Sequence, residues 1–261
     1  MKLSELYGVL EKFAPKSLSE EYCRKYDAYD NSGILVDCGE EVKKVLFSLD
    51  FSEKVLDEAE ETGVNVLVTH HPAIYSKISD ICFSDPQGEK LQRAIKGGIS
   101  VISMHLNFDC AENGIDEELM RGIGGTEATI CEPLQTPGTG YGRIYDVAPV
   151  TAEELCERIK KNFRTSRIWC YGKDETVTRA ASFCGAGATE EAVRQAVKGK
   201  ADCIISADFK HHVVAMALEY GLSVIQLTHY ASENYGFNKI YLRLKEQLGA
   251  ESDYFADPEL L

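Results

Sequence analysis

No apolar run in the 261-residue chain approaches the roughly 20 residues needed to span a bilayer, so the sequence offers no membrane partner. Basic residues are scarce: 28 Lys and Arg stand against 42 Asp and Glu, a formal charge of -14. That balance repels polyphosphate backbones and leaves no Lys- or Arg-rich stripe, which disfavours nucleic acid as a partner. Nine cysteines are present, but they are odd in number, widely spread and contain no CxxC pair. This reads as reduced thiols rather than a disulfide framework or a thiolate zinc site. Low-complexity tracts and short-period repeats are missing, and the acidic, amphipathic N-terminal segment is unlike a leader, so the expected location is the cytoplasm.

What the chain does contain is a repeated strand-helix-strand grammar. Lys2 to Phe13 has helical apolar spacing and stops at Pro15. DNSGILV reads as a turn into a strand. Val42 to Leu49 then gives a strand, Ser52 to Thr62 a helix capped by Ser52 and stopped by Gly63, and Val64 to Val68 a strand again. EKLQRAIKGGISVISMH repeats the pattern, and ENGIDEELMRGIGG predicts a short helix. Beyond it, TAEELCERIKKNF predicts a helix capped by Thr151, IWCYG a short strand, and two further βαβ units feed a C-terminal helix around Lys239 to Leu248. Strands alternating with helices imply an α/β fold with largely parallel or mixed sheets. The Pro- and Gly-rich stretch from Thr126 to Tyr145 suggests a crossing between lobes. The expected division is residues 1–125 with 206–261 as a first lobe carrying most site residues, and 126–205 as a second.

Chemistry gathers where three of the apolar runs end. VNVLVTHHP finishes on His70 and His71, GGISVISMHLNFD on His105 and Asp109, and GLSVIQLTHYASE on His229 and Glu233. Ligands collect at the carboxyl ends of parallel strands, so these side chains should converge. Adjacent residues leaving a strand point in different directions, which suits His70 and His71 to serve one ion each. His229 and Glu233, four apart, share a face if the strand turns into a helix at Thr228, and the carboxylate there could bridge two cations. Imidazoles with carboxylates suit zinc, iron, manganese, cobalt or nickel. Two such ions about 3.5–4 Å apart acidify water and make hydrolysis the default chemistry. His105 is an orienting partner more readily than a ligand. His211 and His212 begin the helix after SADFK and are either solvated or, for His212 above all, a proton carrier or substrate contact. Asp208 is a substrate contact or a helix cap, and Arg143, in GTGYGRIYD, an anion contact or a solvated loop arginine. CGAGATEEA is either a phosphate cradle or a tight strand-to-helix turn.

At these residues the chain resembles the NIF-three-like family, whose members include proteins named type 2 GTP cyclohydrolase I homologues, and the match runs almost end to end. YDNSGILVD is similar to the family's first element, with Tyr29 in place of its Trp; LDFSEKVLDEA, VTHHP, MHLNFDCAENGID, GYGRIYDV, FCGAGATEEA, SADFKHH and THYASE follow in the family's order. The family's metal ligands fall on His70, His71, Asp109, His229 and Glu233, and its conserved later His on His212. Departures at Leu106, Ala207, Thr228 and Ser232 touch neighbours and not ligands, and Gly142 to Phe183 leaves no room for the inserted domain of longer members. The resemblance implies two α/β lobes with a dimetal site in the cleft between them, in a toroidal homohexamer whose sites face an internal cavity. The function expected is metal-dependent hydrolysis of a small substrate, nucleotides included, with His212 or His105 moving the proton. The competing expectation is a metal-binding scaffold, metal-insertion factor or regulatory adaptor, and a strongly positive ring interior would revive nucleic-acid processing.

Overall fold

The computed structural model describes residues 1–172 and 176–261 and falls into two compact units, Met1–Phe108 with Ile240–Ala256 and Asp109–Lys239 with Asp257–Leu261. The first unit opens with α1 (Leu3–Phe13) and α2 (Lys16–Tyr26), then β1 (Gly33–Val36), β2 (Lys44–Ser48), α3 (Glu53–Thr62), β3 (Val66–Thr69), α4 (Pro86–Lys96) and β4 (Ser100–Ser103). The short α5 (Leu106–Cys110) crosses the unit boundary, and β11 (Glu251–Phe255) returns from the far end of the chain. The sheet order is β1-β4-β3-β2-β11. β11, β2, β3 and β4 are mutually parallel, whereas β1 runs antiparallel to β4. The caps work as their chemistry demands: Ser52 accepts from the Val55 amide at the start of α3, and Gly63 ends that helix in the left-handed region at φ 72°. Leu46, Leu56, Leu67 and Val101 fill the core against this sheet, each worth about 1.5–3 kcal/mol of burial. Because β2, β3 and β4 are parallel and in register, Ser48, Thr69 and Ser103 end side by side, and the residues that follow them leave from one edge.

The second unit holds α6 (Ile115–Ile123), β5 (Ala128–Pro133), β6 (Gly140–Thr151), α7 (Ala152–Phe163), β7 (Trp169–Tyr171), β8 (Thr176–Ser182), α8 (Glu190–Lys198), β9 (Cys203–Ser206), α9 (His211–Glu219), β10 (Ser223–Gln226) and α10 (His229–Leu244), the last running into the first unit. Its sheet order is β5-β6-β8-β9-β10-β7. β8, β9 and β10 are parallel, a β5–β6 hairpin lies antiparallel on one side, and β7 lies antiparallel on the other. Ile144, Phe183, Ile204 and Val224 form its core with α8 and α9.

Several boundaries differ from the sequence expectation. The chain changes unit between Phe108 and Asp109, not near 125, and Asp109–Lys239 stays together where a return at 206 was expected. The reason is the sheet: β9 pairs in register with β8 and β10 with β9, so residues 203–226 cannot leave it. The Gly- and Pro-rich stretch at 126–145 is not a crossing but the β5–β6 hairpin. α2 was missed because its sequence buries only Leu18 and Ser19, and β11 because ESDYF is polar. β11 is fixed by its parallel pairing with β2, and Lys44 of β2 adds exposed ion pairs to Glu251 at 3.1 Å and Asp253 at 2.9 Å. The last helix starts at His229, ten residues before the expected start. Gly236 lets it close on α6, where a Cβ would stand 2.8 Å from the Ile115 Cα.

Candidate metal centre

In the first unit the edge formed by β2, β3 and β4 presents Asp50, His70, His71 and His105. The rings of His70 and His71 are centred 5.0 Å apart, His70 and His105 5.1 Å, and His71 and His105 5.9 Å. One nitrogen of each lies within 4.8 Å of the others, a group that could hold a metal ion. Every ring is held by its Nδ1: His70 on the Met104 carbonyl oxygen at 3.0 Å, His71 on Asp50 Oδ1 at 2.6 Å, and His105 on Asp30 Oδ1 at 2.8 Å. A carbonyl or carboxylate oxygen only accepts, so the hydrogen sits on Nδ1 and the lone pair of each neutral ring on Nε2. This is the setting found around metal-ligating histidines.

Asp30 is itself built in. β1 enters antiparallel to β4, with Gly33 opposite Ser103, which delivers the preceding loop to the same edge. Burial opposes ionisation of Asp30, but the hydrogen bond and charge of His105, with the hydroxyls of Ser19 and Ser32, outweigh it and bring the carboxyl down to about 2. Ser32 also receives the His105 amide at 3.0 Å.

In the second unit the carboxyl edge of β8, β9 and β10 carries Cys184, Gly185, Asp208 and His229. His229 Nδ1 lies 2.6 Å from Asp208 Oδ2, and its Nε2 lies 3.1 Å from Glu233 Oε2, one turn along α10. Asp109 and Glu233 are each 3% exposed. Carboxylates buried to that degree are paired, hydrogen-bonded or bound to a metal ion. The Cys184 thiol donates to Asp109 Oδ1 at 3.4 Å. Gly185, at φ 54°, makes the close approach that the GxG run left open: a Cβ there would fall on Glu233 Oε1 and 3.2 Å from His229 Nε2. Its amide donates to Ser232 Oγ at 3.0 Å, tying the turn to α10. Thr189 caps α8, and the CGAGAT turn serves as a wall for His229 and Glu233.

Other expected site residues are placed differently. Three of the five expected ligands, Asp109, His229 and Glu233, lie in the second unit, so the first does not carry most of them. Asp109 lies on helix α5. Asp208 caps nothing, since α9 starts after Lys210; it orients His229. Arg143 is neither a solvated loop arginine nor a substrate contact: it lies in β6, 2% exposed, and its Nη1 pairs with Asp116 Oδ2. Asp116 in turn accepts from the Cys184 amide at 3.1 Å, so this pair supports the turn behind Asp109 and Glu233. His212 opens α9 with a side chain 61% exposed, its Nε2 3.7 Å from Glu190 Oε1. Sequence reasoning gave no role to Asp30, Asp50, Asp116, Cys184 or Ser232. The first two had a signal, since each sits in a motif, YDNSG or LDFSEK, beside a strand that feeds the edge.

Two α/β units, each presenting histidine and acidic side chains at the carboxyl edge of parallel strands, define a protein with groups able to hold a metal ion. A model of the Duf34/NIF3 (NGG1p interacting factor 3) family matches residues 1–256, and the chain belongs to that family. Similar proteins include the GTP cyclohydrolase 1 type 2 homolog of Clostridium acetobutylicum, 30% identical over 89% of this chain and 85% of its own. The homolog of that name from Campylobacter jejuni is 32% identical over 90% and 88%. Among solved structures, reduced HcgD from Methanocaldococcus jannaschii superposes with a TM-score of 0.82 at 28% identity, covering 98% of both chains.

Proposed function

We propose that this protein is a metal-dependent hydrolase that holds two divalent ions through His70, His71, Asp109, His229 and Glu233 and acts on a small substrate, nucleotides included. The observation that carries the reading is the common setting of the histidines: His70, His71 and His229 are each held by Nδ1 on an oxygen, which leaves Nε2 as the donor to an ion. Zinc, iron, manganese, cobalt and nickel are the ions this donor set suits. Bound there, they would supply Lewis acidity and acidify water. The chain's own residues do the rest. Met104, Asp50 and Asp208 fix the ring tautomers, and Gly185 with Ser232 holds α10 in place behind His229 and Glu233. The proton is moved either by His105, whose ring Asp30 fixes through Nδ1, or by His212, exposed at the start of α9.

The names of the relatives support a nucleotide as the first substrate class to try, and kinship supports a cytoplasmic toroidal homohexamer. Elemental analysis of protein purified without added metal should give two ions per chain; one tightly bound ion at saturation would sink the dinuclear reading. A screen of GTP, other nucleotides and phosphoesters tests the chemistry. Two bound ions with no turnover across that screen would assign the protein as a metal-binding scaffold, insertion factor or adaptor instead. Light scattering should give six times the 29.0 kDa chain mass.

A further inference from the structure

Three thiols of the second unit, none of them among the candidate metal ligands or the residues that hold those ligands, gather beneath α7. Strand register places two of them. Cys203 of β9 lies opposite Ser223 of β10, and Ile225, two residues on and therefore on the same face, lies opposite Cys170 of the edge strand β7. α7 packs on β7 and β10, burying Leu155, Cys156 and Ile159. The other face of the sheet belongs to Ile204 and Val224 under α8 and α9. Cys156 and Cys170 stand on the wall of one cavity, near enough to act on each other's ionisation, and Cys203 is close enough to feel both. The cavity measures about 290 Å³, and its lining includes Cys156, Cys170, Trp169 and Lys160. Cys170 is partly exposed and Cys156 buried, so one sulfur is reachable and the other stands behind it.

We propose that Cys156 and Cys170 form a redox-active dithiol that reduces small disulfides entering this cavity, closing into a disulfide that joins α7 to β7. The Cys170 sulfur, having given up its proton, attacks one sulfur of the small disulfide; the S–S bond breaks and one small thiol leaves with that proton. Cys156 then attacks the Cys170 sulfur, forming the internal disulfide and releasing the second small thiol with the Cys156 proton. Two electrons pass from the protein pair to the small disulfide, and two thiols are produced for two consumed. Burial, and then the neighbouring Cys170, pushes the Cys156 thiol up, so it keeps its proton until the mixed disulfide forms and Cys170 attacks first.

The test uses the full chain and oxidised glutathione, followed by alkylation of remaining thiols and peptide mapping. The wild type should lose two of its nine thiols, yield one peptide pair linking Cys156 to Cys170, and show a fall in emission from Trp169, the single tryptophan, that dithiothreitol reverses. Cys156→Ser should stop at a stable glutathione adduct on Cys170, Cys170→Ser should give neither adduct nor link, and Cys203→Ser should behave as wild type. Retention of all nine thiols, a link through Cys203, or a wild-type protein that stops at the mixed disulfide would overturn the proposal. Should the buried Cys156→Ser variant fold poorly, the wild-type map and the partly exposed Cys170→Ser variant decide the matter.

Discussion

Asp208 holds His229 from across two strand ends, Oδ2 to Nδ1 at 2.6 Å, and does so from a left-handed backbone at φ 54°. Few side chains other than Gly, Asn and Asp tolerate that region, so geometry and chemistry restrict the position together. An orienting carboxylate of this kind typically contributes 10–100-fold in metal affinity. Asp208→Ala should therefore weaken metal binding by about 10–100-fold in a chelator competition, while Asp208→Asn, which still offers an accepting oxygen and fits the backbone, should lose less. Equal losses for both would mean that Asp208 does not act by orienting His229.

Gly185 is the tightest approach to the candidate ligands. Gly185→Ala places a methyl on Glu233 Oε1 and near His229 Nε2, at a φ that disfavours any side chain. One or both ions should be lost, with a thermal midpoint several degrees lower, because neither Glu233 nor the backbone can give way cheaply. Metal content read by elemental analysis and unfolding followed by circular dichroism check this together. A variant with full metal content would show that the turn is not a wall for the site.

The parts legible in the sequence were those that local chemistry decides. Ser52 and Gly63 bounded α3, Thr151 capped α7, and the β-branched runs before His70, His105 and His229 became strands whose ends feed the two edges. What stayed hidden depends on partners distant in the chain. β11 has no apolar pattern of its own and is set by pairing with β2, some two hundred residues earlier. Arg143 looked solvated because it lies among glycines, yet those glycines let the hairpin pack tightly and bury it on Asp116. Asp30 and Asp50 carried no spacing relative to the histidines they hold, since the sheet and not the sequence brings them together.

The Arg143–Asp116 pair should matter for stability more than for metal chemistry. Both side chains are buried, at 2% and 0% exposure, so removing one leaves the other charge without compensation. Arg143→Met should cost about 3–5 kcal/mol in urea unfolding. The double variant Arg143→Met with Asp116→Leu should recover part of that loss, since no lone charge remains buried. A double variant less stable than Arg143→Met alone would instead place the main cost in the Asp116 bond to the Cys184 amide.

Asp202 gives the clearest dependence on pH. Burial opposes its ionisation, but the Thr178 amide and hydroxyl, the Arg179 amide and the Arg179 charge outweigh this and hold its carboxyl below the ordinary value of 3.8. The Thr178 contacts are both 2.8 Å and the Arg179 amide contact 2.9 Å. A carboxyl whose folded value lies below its unfolded one stabilises the fold fully above the unfolded value, and the contribution fades as pH falls through the folded one. Wild type should therefore melt above Asp202→Ala at neutral pH, and part of that gap should close as pH is lowered from about 4 toward 2. The remainder, from hydrogen bonds that a neutral carboxyl retains, should persist, and Asp202→Asn should keep more stability than Asp202→Ala at every pH. A wild-type advantage over Asp202→Asn that grows on acidification would reverse the sign of the linkage and show that the Asp202 carboxyl is held above its ordinary value.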